Sequence, residues 1–202
     1  MKENKKNLSG KQLSKRNAII KAAIDVFSHK GFHKAKISHI AKLTKVADGT
    51  IYLYFNNKEN LLVSAFDELT ENILNEMKNT INYEKTALDR LLKFFDLHVE
   101  MFTKQPAVVR FLAIELRQSP DFYEQHPSYN PLKEYITFIE KLIIDTITEN
   151  SIRVVDPKAL TLIIFGTMDF LLAEWSTKNQ PFSLVEMKEK IVDIIHWGIR
   201  KG

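Results

Sequence analysis

At 202 residues the chain can form one large domain or two small ones, and 45% hydrophobic with 27% charged residues is ordinary for a globular protein. The absence of Cys excludes disulfides and thiolate metal sites and fits a reducing, cytoplasmic setting. The net charge of +4 is unevenly spread: residues 1–60 hold 13 Lys or Arg against 4 Asp or Glu, and the remainder holds 16 against 21, so a basic head suited to a polyanion precedes a mildly acidic body.

Residues 1–13 are basic with no apolar run behind them, and read as a disordered arm rather than a leader. From Ser14, taken as an N-cap, Ile19, Ala22, Ala23, Val26 and Phe27 recur at helical spacing until Gly31, with His29 and Lys30 suiting the helix C-terminus. Two short helices are expected at about 37–43 and 48–55. Ile37, Ile40, Ala41 and Leu43 would form the inner face of the first, and Ile51 and Phe55 would anchor the second. Asn57 then caps a long helix from Lys58 through Leu61, Leu62, Ala65, Phe66, Leu69, Ile73 and Met77.

Further helices are expected at 86–103, 107–118, 130–149, 157–177 and 184–200. Asp156-Pro157 and the Ser183-x-x-Glu186 capping box, with Phe182 stapled onto Met187, mark two of their starts. Residues 119–131, with three Pro, read as the one long loop. The apolar run 160–175 is interrupted by Thr161, Gly166, Thr167, Asp169 and Glu174, so a buried helix is expected there and no membrane partner. Strand signals are scarce. The expected fold is all-α, with an N-terminal unit of three helices over 14–57 joined without a linker to a helical body over 58–202.

The densest pattern is ISHIAKLTKVADGTIYLYFNNKENLL, residues 37–62. Two short helices about a tight turn, with the small Ala41 at their crossing, are the pattern of a helix-turn-helix whose second helix enters the major groove. Tyr52 and Tyr54 would be out of place on a face meant only for water, and their hydroxyls suit phosphate oxygens. Thr50 can reach a phosphate or a thymine methyl, Gly49 lets the backbone approach DNA, and Leu53 shares the outward face. Lys58 would add a cation and helix N-terminal amides.

The segment VADGTIYLYFNNKENLL resembles the signature of the TetR family, and the likeness extends upstream through Ala22, Phe27, Gly31, Phe32 and the IAK of the preceding helix. That resemblance implies a homodimeric repressor on a palindromic operator. It carries Thr50, Tyr52, Tyr54 and Lys58 over as DNA contacts, with Lys36 and Ser38 as contacts from the second helix. Lys45 stands where the family's turn usually has Gly, and Lys36 and Ala47 stand at cap positions usually held by Ser or Thr.

For the body, the resemblance implies a ligand pocket and a dimer interface made by the last two helices. Phe94, Phe95, His98, Phe102, Phe111, Ile114, Tyr135, Phe138 and Phe165 are expected in the pocket. RFLAIELRQS (110–119) and IFGTMDFLLAEW (164–175) are similar to the FadR-type branch of the family, whose resemblance implies a long-chain fatty acyl-CoA as effector. Arg110 and Arg117, two turns apart on one helical face, would then meet its phosphates, with Asp169 at the same site. A multidrug-type sensor with a broad aromatic pocket is the alternative. An enzyme is not expected: there is no Gly-rich phosphate loop, no HExxH, no nucleophile motif and no cluster suited to a metal or cofactor.

Overall fold

The computed structural model describes residues 8–104, 106–112, 129–177 and 181–200. Among these it holds nine α-helices and no strand. In chain order they are α1 Gly10–Lys30, α2 Ile37–Thr44, α3 Asp48–Tyr52, α4 Lys58–Ile81, α5 Ala87–Lys104, α6 Pro106–Arg110, α7 Lys133–Thr148, α8 Pro157–Thr177 and α9 Leu184–Ile199.

The first helix starts earlier than its apolar pattern suggests. Ser9, not Ser14, is the N-cap, and its hydroxyl accepts from the Gln12 backbone while the Gln12 side chain accepts from the Ser9 N–H. This capping box adds an exposed, polar first turn, so the expected arm over 1–13 loses its last residues to α1. The cap signals at Asn57, Asp156 and Ser183 hold: each side-chain oxygen accepts from a backbone N–H three residues on. Of the helix expected over 107–118, α6 covers the first part, and residues 113–118 lie outside the described set, as does most of the loop expected at 119–131.

Two apolar cores result. One packs Ile19, Ala23, Phe27, Ile40, Ala41, Ile51, Phe55 and Phe66 among α1 to α4. The other joins the far half of α4 to α5, α7, α8 and α9 through Met77, Phe94, Ile139, Ile143, Ile164 and Met168. Helix α4 runs through both, because its apolar residues hold helical spacing from Leu61 to Ile81. Arg16 on α1 fixes the first core to α4, with its guanidinium 2.9 Å from the Glu68 carboxylate and 5.3 Å from the centre of the Phe55 ring.

Leu43 departs from the expected inner face and is 55% exposed. At 100° per residue, Ile37, Ile40, Ala41 and Thr44 share one side of α2, and Leu43 lies about 100° from its centre. The turn that follows is a Schellman motif. Lys45 adopts the left-handed region (φ 55°, ψ 40°), its N–H donates to the Lys42 carbonyl, and the Val46 N–H donates to the Ala41 carbonyl at 3.0 Å. Because a side chain at positive φ is strained, Lys45→Gly is expected to raise the denaturation midpoint, by roughly 0.5–1 kcal/mol of stability. A lower midpoint would show that the lysine side chain contributes more than the strain removes.

Helix α8 is long and apolar enough to span a bilayer over Pro157–Ser176, by length and composition. Its apolarity divides between two faces. Leu160, Ile164, Met168, Leu171 and Trp175 are buried in the core, whereas Leu162, Ile163 and Phe170 are exposed on the opposite side.

Candidate DNA-binding surface and effector cavity

Most of the expected DNA contacts are exposed. Lys36 and Ser38 stand exposed at the start of α2, and Gly49 and Tyr52 on α3 and Leu53 just after it are exposed, with Leu53 80% accessible. Thr50 is half-buried beside them. A Cβ built on Gly49 would meet no protein atom within 4 Å, so nothing inside the chain requires glycine there. Tyr54 is half-buried, its ring packed against the N-terminal core.

In place of a side-chain cap, the Lys36 N–H donates to the His39 ring nitrogen at 3.2 Å. Lys58 departs from expectation. Its ammonium donates to the carbonyls of Phe32 (2.9 Å) and Ala35 (3.2 Å) and lies 4.3 Å from the Phe32 ring centre. Helix α4 begins beside the loop between α1 and α2, and a long cationic side chain there satisfies carbonyls that no helix pairs. His29 and His33 stand four apart, but Gly31 ends α1 between them, and no group of three or more His, Asp or Glu among the described residues is placed to hold a metal.

The body holds an apolar cavity of about 50 Å³ between α4, α5, α6, α7 and α8. Of the residues expected in a pocket, His98, Phe102, Tyr135, Phe165 and Asp169 line it. Phe94, Phe95 and Phe138 do not: they are buried core residues of the body, turned away by the rotation of their helices. Phe111, also expected there, is buried instead in the N-terminal core. Ile114, Arg117 and the side chain of Arg110 lie outside what is described.

Thr70, Ile73, Val109, Leu112, Leu132 and Leu172 complete the wall. Thr70 had a visible signal in the sequence, since it interrupts the apolar stripe of α4 between Phe66 and Ile73. A second, more polar recess of about 260 Å³ adjoins the cavity and shares Thr70 and Tyr135 with it; among the described residues Asp67, Glu71 and Glu134 stand on its wall beside Lys133.

Cavity and N-terminal unit meet at the end of α6. Val109 and Leu112 line the cavity, while Phe111 between them is fully buried in the N-terminal core. Its ring stacks on Phe27 with centroids 6.3 Å apart, and its centroid lies 6.0 Å from that of Phe66. On the far side of the body, Leu162, Ile163 and Phe170 of α8 and Val185, Ile194 and Trp197 of α9 are exposed.

A helix-turn-helix head and a helical body with an apolar cavity are the parts of a one-component regulator, and comparison with known proteins agrees. Residues 19–65 match the family of bacterial regulatory proteins of the tetR type, and residues 66–198 match the C-terminal region of YsiA-like proteins. The chain belongs to the TetR family of transcriptional regulators, whose members are regulators and not enzymes. It is 32% identical over 183 residues to the fatty acid metabolism regulator protein of Bacillus subtilis, covering 90% of this chain and 93% of that protein. Among solved structures it is similar to the Bacillus subtilis regulator FadR in complex with stearoyl-CoA, with a TM-score of 0.80 and 30% identity over 89% of this chain and 96% of that one. The fatty acid degradation regulator FadR of Bacillus halodurans superposes with a TM-score of 0.81 at 28% identity, covering 91% and 99% of the two chains.

Proposed function

We propose that the protein is a cytoplasmic repressor of fatty acid metabolism genes, binding a palindromic operator as a homodimer and released by a long-chain fatty acyl-CoA. Residues 14–57 read the DNA, and residues 58–202 hold the effector and the dimer interface. The observation that carries the reading is the end of α6, where Val109 and Leu112 line the cavity and Phe111 between them lies in the N-terminal core. A ligand that displaces Val109 and Leu112 moves Phe111, and with it the packing of α1 against α4.

On DNA, α3 lies in the major groove, with Gly49, Thr50, Tyr52, Leu53 and Tyr54 toward the duplex and Lys36 and Ser38 on the backbone. Lys58 contributes through the helix N-terminus rather than its ammonium, which the α1–α2 loop holds. The exposed faces of α8 and α9 pair across a twofold axis. Gly166 and Gly198 leave open space in which helices can approach. Half-sites would lie about one helical turn, roughly 34–36 Å, apart.

Two features support an acyl chain in the cavity: its largely apolar wall, and the stearoyl-CoA bound by the Bacillus subtilis relative. The acidic neighbouring recess does not suit phosphates, so Arg110 and Arg117 are assigned to the CoA moiety. One observation favours the multidrug-type alternative: Asp169 shares the wall with Phe102, Tyr135 and Phe165, a setting that suits an organic cation.

The test is a titration of the protein–operator complex with stearoyl-CoA, CoA alone and a quaternary ammonium dye, with melting curves in parallel. Stearoyl-CoA is expected to raise the melting temperature with concentration and to weaken operator binding several-fold to about a hundredfold, a coupling of roughly 1–3 kcal/mol. Release by the dye and not by stearoyl-CoA would transfer the assignment to the multidrug-type reading.

A further inference from the structure

His98 on α5 lies in the cavity wall, and one of its two ring nitrogens has no partner. Nδ1 is hydrogen-bonded to the Tyr135 hydroxyl, whereas Nε2 is buried without any hydrogen bond. A buried polar atom left unpaired is costly, and in native proteins such an atom is usually answered by a water or a ligand.

The chemistry of Nε2 follows from its surroundings. Burial lowers the pKa of His98 from 6.5 to about 3, so the ring is neutral near pH 7 and carries one proton. The Tyr135 hydroxyl proton has two acceptors in reach, the His98 Nδ1 and the Met77 Sδ at 3.9 Å. A thioether sulfur is the weaker acceptor. The ring's single proton has two tautomers open to it; in the one where the Tyr135 hydroxyl donates to Nδ1, Nε2 carries the proton and is a donor, and an acceptor placed at Nε2 selects that tautomer. The cavity wall that His98 shares is mostly hydrocarbon, from Ile73, Phe102, Val109 and Leu172.

We propose that the Nε2–H of His98 donates to the carbonyl oxygen of the effector's acyl group, making the cavity selective for a neutral acyl carbonyl over a bare alkyl chain. This rests on the acyl-effector reading above. Asp169 bears on the kind of carbonyl. It lies on the same wall, and after burial its charge is the second cause that holds the Tyr135 phenol well above its usual range. A ligand carboxylate would meet that same negative charge, and a thioester would not.

The proposal is tested by measuring affinities of the wild-type protein and of His98→Phe for three ligands. They are stearoyl-CoA, free stearate, and S-octadecyl-CoA, a thioether with the same chain and CoA but no carbonyl. The wild type is expected to bind the thioester at least about tenfold more tightly than the thioether, because a site built to donate discriminates against a ligand that cannot accept. In His98→Phe, which keeps a planar ring without the N–H, the two should bind within about twofold of each other. Should that variant fail to fold, the wild-type ratio alone decides.

Equal wild-type affinity for thioester and thioether would overturn the role of His98 and leave the acyl-CoA reading intact. Tighter binding of stearate than of the thioester would overturn the neutral-carbonyl assignment. Binding of none of the three would overturn both this proposal and the effector reading on which it rests.

Discussion

Phe111→Ala is expected to lower stability by about 3–5 kcal/mol, the usual cost of removing a fully buried aromatic ring. Phe111 has no exposed surface and fills the space between Phe27 of α1 and Phe66 of α4. Truncation leaves a void in the N-terminal core although residue 111 follows a helix of the body. Urea denaturation measures the loss, and a change below about 1 kcal/mol would show that the ring is not well packed there. The milder Phe111→Leu separates stability from signalling. It should fold and bind effector, yet show a smaller effector-induced loss of operator affinity, because the contact that carries displacement out of the cavity is looser. Unchanged release by Phe111→Leu would mean that the signal leaves the cavity by another element.

If the protein is the proposed homodimer, Phe170→Glu is expected to convert it to a monomer of 23.5 kDa and to remove the proposed specific operator binding. In the single chain the Phe170 ring is 67% exposed, so a carboxylate there disturbs little of the fold. Across a twofold interface each substitution occurs twice, and burying two unpaired carboxylates costs several kcal/mol apiece. Sedimentation reads the assembly, and circular dichroism checks that the helices persist. A variant that remains dimeric would place the interface elsewhere than on α8 and α9.

The parts of the structure set by local rules were the parts legible in the sequence. The helix-turn-helix is one: short helices, a left-handed turn and a capped third element lie within 26 consecutive residues, so spacing alone orders them. Even Lys45, where the usual glycine is missing, adopts the conformation the turn requires. Where periodicity was thin the reading slipped. The first turn of α1 is polar, so its capping box at Ser9 gave no apolar stripe to follow, and an eight-residue α2 offered too few positions to turn Leu43 outward.

The cavity was half legible for a different reason. His98, Phe102 and Tyr135 are aromatic or polar residues on apolar faces, which marks them in isolation. Phe95 and Phe138 carry the same mark and face the core instead. The difference is a rotation of about 100° per residue, which is decided by packing among five helices and not by any one of them. Lys58 makes the same point in reverse: a cation at a helix start suits phosphate, but the carbonyls of Phe32 and Ala35 are nearer.

The contact of Arg16 with Glu68 and Phe55 makes α4 a lever. It clamps α1 to the N-terminal half of α4 and, through Phe55, engages the end of the α3 segment, so the head turns with the helix rather than against it. At 24 residues α4 is roughly 36 Å long. Tilting such an arm by about 5° carries its tip about 3 Å, close to the rise of one base pair. A small swelling of the cavity against Thr70 and Ile73 could thus be read out at α3 as a step of one base pair along the groove.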